Sequence, residues 1–591
     1  MTPYAISLFF NTRIFRIVLL LLSMVFVLAK VSTAQVTPFN HSGLKWRTME
    51  GQFHVLHYHV GSERTAREIL NIADAVHPQL VELYHYTPDT KVHWVVYDTD
   101  DYANGATYYL NNKIIIWAPA LDFEFRGSHH WLRNVVTHEY AHMIQLGAAR
   151  KWSREIPGIY TQVIDYEKES RPDVLYGFPN RIISYPVINT VVPHWFAEGT
   201  AQSMRKGMNF DYRDSHREML LRTRSLTGNL LTLDEMGVFE KNSLGGELVY
   251  NQGFSLVQYI SDRYGEASFR KLSEAMAKPM TWTLDGACRN ALGVSARELY
   301  NDWSRTLKET YSQRTTTIRA NEVNGRLLEE DGFGNLYPRW SNDGKNIYFV
   351  SNKEKDFFGG SKVVKYDVES GKKDKLFVTS APFAIHPNDS AIVYSHQPLT
   401  KDQRRLNDLY WYNIQKKKSY RLTYEARVQQ PDISSDGNSI VAITQSDGTS
   451  NLILIELPDL VMKDIPRKSP LPSRTLTNYT NGEQVSQPRF SPDGKSILFS
   501  LVTDENRDLI MLDVASGKTE LLRESRWDDR NAAWSRDGKW IYFTSDSTGI
   551  WNVYRMSSDR TTIEPVTNVV GGALFGEPSP DGTELAFSRY E

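Results

Sequence analysis

Trp340-Ser341-Asn342-Asp343-Gly344-Lys345-Asn346-Ile347-Tyr348-Phe349 returns twice in nearly the same letters, as Phe490-Ser-Pro-Asp-Gly-Lys-Ser-Ile-Leu-Phe499 and Trp534-Ser-Arg-Asp-Gly-Lys-Trp-Ile-Tyr-Phe543. Weaker copies surround Asp389, Asp436 and Asp581. The six aspartates, at 343, 389, 436, 493, 537 and 581, are spaced by 46, 47, 57, 44 and 44 residues. Asp-Gly closes a tight turn, because glycine accepts positive φ and the aspartate bonds nearby backbone amides. The aromatic-Ser before it ends one strand, and the Ile-x-Phe after it sets apolar side chains on one face of the next. Each unit is then a small antiparallel sheet that buries its faces only against its neighbours. A period in the forties with several strands per unit predicts a β-propeller.

Outward from the repeats, Arg326-Leu327-Leu328 precedes the first unit much as Arg421-Leu422-Thr423 precedes the third. Segment 325–330 is therefore expected to give an outer strand to the last blade. Six repeats with this seam resemble the TolB-like six-bladed, WD40-type propeller family across residues 325–591. Residues 315–324 read as a linker. Before it, strand patterns at Phe53–Val60, Lys91–Tyr97 and Lys113–Ala118 mix with helical periodicity at Arg64–Tyr84, His130–Leu146, Phe254–Tyr264, Ala267–Ala277 and Ser295–Tyr311. The expectation is a multidomain chain, an α+β domain over 35–314 and an all-β six-bladed propeller over 325–591.

At 591 residues the chain exceeds a single core, and its 41% hydrophobic and 23% charged content suits globular domains. Lys and Arg number 68 against 70 Asp and Glu, so no basic excess points to nucleic acid as a partner. Arg13 and Arg16 precede the apolar run Ile17–Ala29, and Ser32 and Ala34 supply the small residues of a cleavage site. Residues 1–34 read as an export signal cut after Ala34; retained, the run is an anchor, which leaves membrane association open. Cys288 is the single cysteine, so no internal disulfide forms, and a bacterial periplasm or cell surface is the expected location.

The chemistry concentrates at His138-Glu139-Tyr140-Ala141-His142. Residues four apart on a helix share a face, so the two imidazoles can grip one cation. Glu139 lies on the neighbouring flank, where it can take a proton from water that the ion activates. Trp131–Thr137 before it and Met143–Leu146 after it carry the same helical pattern. The remaining histidines read differently. His54, His57 and His59 are structural on a strand, while His129 and His130 shape the start of the helix. His194 is near enough in sequence to orient either Glu198 or the substrate, and Cys288 is a small core residue.

Downstream stands His194-Trp195-Phe196-Ala197-Glu198-Gly199-Thr200-Ala201. Trp-x-x-Glu-Gly-x-Ala after HExxH resembles the gluzincins, zinc peptidases whose third ligand is a helix-borne glutamate. The resemblance covers roughly His54–Leu307 and implies a zincin-like metallopeptidase domain. In it one Zn2+ is held by His138, His142 and Glu198, with Glu139 as catalytic base. Tyr250-Asn251-Gln252-Gly253 resembles the Tyr-x-x-Gly helix entrance of the aminopeptidase N branch, which implies that Tyr250 donates a hydrogen bond to the oxyanion.

Two departures shape the expectation. That branch anchors a free amine through a Gly-x-Met-Glu-Asn segment, and the corresponding region here, Tyr108–Ala118, has no glutamate. Internal cleavage is favoured over aminopeptidase action, with Ile114–Trp117 available to pair with an extended peptide. Glu198 also follows His142 by 56 residues. The insertion at 147–193, with Trp152, Tyr160, Tyr166, Tyr176, Phe178 and Tyr185, reads as a lid, a contact surface or a self-packed excursion.

The expected function is an exported zinc peptidase acting on a peptide or protein substrate, with the propeller assisting substrate or partner binding. The alternative is a non-catalytic periplasmic or cell-surface scaffold with a vestigial peptidase fold. The joint presence of His138, Glu139, His142, Glu198 and Tyr250 argues against that alternative. A propeller-fronted serine peptidase is excluded by the lack of a Gly-x-Ser-x-Gly elbow.

Overall fold

The structure is a computed structural model that describes residues 41, 43–121, 130–152, 160–165, 181–186, 190–203, 214–239, 242–457, 471–503 and 507–591. The export-signal residues Arg13 to Ala34, His129 and most of the 147–193 insertion lie outside the described residues.

A five-stranded sheet runs in the order β1 (Trp46–Glu50), β2 (His54–His59), β3 (Val92–Tyr97), β5 (Lys113–Trp117), β4 (Gly105–Tyr108). β2, β3 and β5 are mutually parallel, and β4 turns back antiparallel on β5. Helix α1 (Glu63–Tyr84) makes the crossover from β2 to β3. It buries Ile69, Ala73, Val76, Leu80 and Leu83, the helical stripe that the sequence carries. Helix α2 (Trp131–Ala148) packs beside it, capped by His130, whose Nδ1 accepts the Arg133 amide. A hairpin, β6 (Tyr160–Asp165) with β7 (Arg181–Pro186), stands in the insertion.

Helices then dominate: α3 (His194–Gln202), α4 (Ser215–Thr227), α5 (Ser243–Tyr264), α6 (Ala267–Ala277), α7 (Leu284–Leu292), α8 (Ala296–Arg314) and α9 (Thr316–Ala320). The last of these corrects the expected linker at 315–324. Thr315 and Thr316 hydroxyls bond back to the carbonyls of Tyr311 and Ser312, so the backbone keeps winding where composition marks a break. A second correction concerns α5, which starts at Ser243 rather than at the expected Phe254. Gly245, Gly246 and Gly253 lower its helical propensity, but Leu244 and Leu248 are buried against the propeller and hold the early turns helical.

The C-terminal part is a propeller with five four-stranded blades. The first is β8 (Asn335–Trp340), β9 (Asn346–Ser351), β10 (Lys362–Asp367) and β11 (Lys373–Val378). The others span β12 (Phe383–Ile385) to β15 (Lys418–Arg421), β16 (Val428–Ile433) to β19 (Ser473–Thr475), β20 (Gln484–Phe490) to β23 (Thr519–Arg523), and β24 (Asp529–Trp534) to β27 (Ile563–Pro565). Among the described residues the expected six blades are not formed. The sixth unit is a two-stranded sheet, β28 (Gly572–Pro578) with β29 (Leu585–Tyr590), set between the fifth blade and the first.

Segment 325–330 does not pair as a strand with β29, contrary to expectation. Scattered side-chain and backbone contacts fasten that joint instead. Arg589 donates to Asn324 at 2.7 Å and to Glu322 at 2.9 Å, and the Val323 amide donates to the Asn568 carbonyl at 2.9 Å. A cavity of about 530 Å³ remains there, lined by Leu328, Trp340, Phe349, Leu585 and Phe587 among others.

The repeat turn works as its letters suggest. Ser341 Oγ donates to Asp343 Oδ1 at 2.6 Å, and the same oxygen accepts the Lys345 amide at 3.0 Å. The serine-aspartate bond recurs at Asp436, Asp493, Asp537 and Asp581. The second unit is shifted by one. Asn388 holds the aspartate's place, with its Oδ1 2.6 Å from His386 Nδ1, and Asp389 takes the glycine position at φ 57°. The Asp389 carboxylate accepts the amides of Asn342 and Asp343 in the adjacent blade, at 2.8 and 3.0 Å, which compensates for a backbone region unfavourable to side chains.

The two halves share a core. Met219, Leu220, Leu244 and Leu248 from α4 and α5 are buried in one cluster with Leu336, Trp551, Leu574 and Phe575 of the propeller. On the other side, Arg427 reaches from the third blade to Asp98 and Asp101, 2.7 Å from each, with both carboxylates almost wholly buried. The Arg427→Ala variant strands two buried anions, a loss of about 3–5 kcal/mol. The denaturant midpoint is expected to fall accordingly, and Arg427→Lys to restore only part of it, since lysine lacks the fork that meets both carboxylates.

Candidate metal centre

Helix α2 sets His138 and His142 one turn apart, and α3 brings Glu198 to them from 56 residues further on. His138 Nε2 lies 3.1 Å from Glu198 Oε2 and 3.1 Å from His142 Nε2, and His142 Nε2 lies 3.2 Å from Glu198 Oε2. Ligand bonds of about 2.0–2.1 Å in a tetrahedron separate neighbouring donors by about 3.3 Å. This triangle has that size, and its two imidazoles and one carboxylate suit a small divalent cation. Burial alone would push the Glu198 carboxyl up, but His142 and His138 hold it well below the usual carboxylate range. Burial opposes a charged His142, and Glu198 overcomes it and draws the imidazole's pKa upward.

What delivers Glu198 is a contact between backbones. A Cβ on Gly199 would run into the Gly253 carbonyl, and a Cβ on Gly253 would run into the Trp195 carbonyl. Helices α3 and α5 therefore cross at a pair of glycines, closer than any side chain permits. Glu198 precedes one of them, and Tyr250 lies one turn before the other. The Tyr250 ring centroid is 6.3 Å from that of His138. Tyr250 sits inside α5 rather than at its entrance, because the helix begins at Ser243.

Glu139 is buried on the flank of α2 beneath β4. Thr107 Oγ lies 2.8 Å from Glu139 Oε2 and 2.7 Å from the Glu139 carbonyl, so its single proton is shared between them. A Cβ on Gly105 would stand 2.6 Å from Glu139 Oε1, so glycine is what allows the strand to lie so close. Here another expectation is corrected. Ile114–Trp117 belongs to β5, whose backbone is paired with β3 on one side and β4 on the other. It has no edge to offer a peptide; among the described residues the edge strand on this side of the sheet is β4.

The other predicted positions take up ordinary work. His54 is fully buried, accepts the Trp94 indole N–H at 3.1 Å, and is held by burial at a pKa of about 4. His57 Nε2 is 3.0 Å from His93 Nδ1, and His59 accepts the Asp98 amide at 3.0 Å. His194 starts α3, with its ring 4.7 Å from that of Phe239. Cys288 is buried in the helical core, its thiol pushed up to about 12 by burial. Gly105, Thr107 and Phe239 escaped the sequence reading. None belongs to a periodic pattern, and each acquires its place only when the sheet edge and loops close over α2.

The Gly253→Ala variant forces α3 and α5 apart. A chelator-competition titration with zinc is expected to show a loss of affinity of about 5- to 150-fold, the equivalent of the 1–3 kcal/mol that overpacking costs, with the far-UV spectrum retained.

Comparison with known proteins bears on the propeller. A family model described as the TolB beta propeller domain matches residues 458–591. An uncharacterized protein of Agrobacterium fabrum is 31% identical over 121 residues, which is 20% of this chain and 39% of that relative's length. A putative TolB from Agrobacterium tumefaciens is 19% identical, covering 46% of this chain and 95% of that one, with a TM-score of 0.37. TolB from Acinetobacter baumannii is 16% identical, covering 49% and 64%, with a TM-score of 0.32. An oligogalacturonate lyase from Vibrio parahaemolyticus is 12% identical, covering 44% and 75%, with a TM-score of 0.31. The match to the TolB beta propeller domain lies within the C-terminal propeller, which follows an α-rich N-terminal region.

Proposed function

We propose that the chain is an exported zinc peptidase that cleaves internal peptide bonds. The observation that carries this reading is the convergence of His138, His142 and Glu198 on one small triangle, with the Glu139 carboxylate buried beside it. Zinc, when bound there, supplies a Lewis acid that polarises a carbonyl and acidifies water.

The chain's own residues do the rest. Glu139 accepts a proton from the attacking water and returns it to the leaving amine nitrogen. Thr107 fixes the carboxylate in one rotamer by its bond to Oε2. Tyr250 donates to the oxygen that gains charge, a contribution usually worth a few kcal/mol. The edge strand β4 offers backbone groups to an extended peptide. Its residues Ala106, Thr107 and Tyr108 include no carboxylate to capture a free amine, which favours internal cleavage. Export rests on the Arg13 to Ala34 pattern, and the near-neutral charge favours protein over nucleic acid as partner of the propeller.

The test is a peptide-library digest read by mass spectrometry, paired with a metal assay. Wild type is expected to bind one zinc and cleave within peptides. Glu139→Gln should keep the metal and lose turnover by at least about a thousandfold, and Glu198→Ala should lose the metal itself. Replacing Thr107 by Val should lower kcat roughly tenfold at unchanged zinc content, with Thr107→Ser restoring it. Stoichiometric zinc without cleavage of any library member would support the scaffold reading instead.

A further inference from the structure

His216 is the second residue of α4, at the corner where that helix meets the fifth blade. Its side chain is wholly buried, and neither ring nitrogen has a hydrogen-bond partner among the described residues. Its ring centroid lies 4.9 Å from that of Trp551, and the Arg530 guanidinium stands over the same indole at 4.9 Å.

The charges that crowd this corner are engaged with one another rather than with the imidazole. Asp528, just before β24, accepts from Arg530 Nε at 2.8 Å and lies 3.8 Å from Arg507 Nε of the fourth blade. Asp546 ties the two halves together. One of its oxygens accepts the Asp528 amide at 2.9 Å and the other accepts the Ser215 hydroxyl at 2.6 Å. On α4 itself, Asp214 caps the helix by accepting the amides of His216 and Arg217. Its Oδ1 is 4.0 Å from His216 Nδ1, beyond hydrogen-bonding reach. Arg217 turns towards Gln202 of α3 and lies over the Phe254 ring of α5.

A neutral imidazole fits this corner as a flat ring against an indole. An imidazolium does not, because it would be a buried cation beside two guanidiniums whose shared carboxylate is already taken. The geometry points to an acid-sensitive latch: neutral His216 keeps α4 seated on the fifth blade, and a proton on this ring opens the joint. Opening frees Met219 and Leu220, and with them the packing of Leu244 and Leu248 at the start of α5.

The direction in pH follows from the burial. Burial, aided by Arg530, holds the His216 pKa down to about 3, against 6.5 for a free histidine. The closed joint therefore refuses a proton that the open joint takes up, and closure weakens as pH falls below about 6.5 towards 3. Asp528 stays anionic through that window, since Arg530 and Arg507 hold its carboxyl at about 2 against the effect of burial. Asp432 and Glu577, pushed up to about 7 by burial, and Asp529, pushed up to about 6, act in the opposite sense and favour the folded state as pH falls. The latch does not depend on the peptidase reading.

The experiment is hydrogen–deuterium exchange of the full-length protein between pH 7.5 and 5.0, read by mass spectrometry and corrected for intrinsic exchange. Across residues 215–222 and 546–556 the opening constant is expected to rise about thirtyfold over that interval, the linkage of one histidine. Residues 391–396 of the second blade are expected to change by less than about threefold. His216→Phe keeps a ring against Trp551 and takes no proton, and His216→Gln is a second neutral variant. Whichever of them folds should reduce the acid response of the joint to within about threefold. An unchanged response in either variant, a wild-type joint that stays closed at pH 5.0, or equal opening of the joint and the second blade would each overturn the latch.

Discussion

Helices α3 and α5 meet backbone to backbone at Gly199 and Gly253, and the cluster of His138, His142 and Glu198 is built on that contact. Neither helix carries a complete site. One brings a carboxylate, the other a phenol, and their separation is fixed by two residues with no side chain at all. Because the approach is limited by main-chain atoms rather than by flexible side chains, it behaves as a stop and not as a cushion. The imidazoles of α2 then find Glu198 at hydrogen-bonding range from both ring nitrogens.

The crossing in turn leans on the propeller. The first turns of α5 bury Leu244 and Leu248 among propeller residues, two turns upstream of Gly253. The propeller is therefore a wall of the same core that orients Tyr250. Arg427, clasped by Asp98 and Asp101, ties the other flank just after β3. A mobile antenna on a linker would show neither feature. The winding of α9 through the supposed linker agrees with this shared core.

Much of this was legible in the letters, and the failures have physical causes. Two histidines four apart on a helix are visible because the ligand spacing is the helix's own period. Glu198 is 56 residues away, so no local period reveals it, and only its Trp-x-x-Glu-Gly-x-Ala setting did. Thr107 and Phe239 touch the site through tertiary closure alone and left no trace. The blade count was overread because Asp-Gly marks the hairpin between the first two strands of a unit; the last unit has that hairpin without outer strands. The second unit was misregistered by one, since Asn388 supplies the turn oxygen and Asp389 takes the glycine's conformation. The start of α5 was misplaced because glycines outweighed packing that a single sequence does not display.

The joint between β29 and the first blade has a mechanical consequence. A toroid whose blades are all completed by strand ladders is equally tough around its rim, whereas this one has a softer suture, where Ser588 meets the Asn335 carbonyl of the first blade and Arg589 meets Asn324 and Glu322 just before it, beside a cavity. Across that suture lie Met219 and Leu244, which share one buried cluster with Leu336 on one bank and Leu574 and Phe575 on the other. The helical half thus staples the toroid at its weakest seam. Parting of the seam under heat or strain and slackening of the helix that holds Tyr250 become one event, so the geometry around His138, His142 and Glu198 is tied to the integrity of the ring.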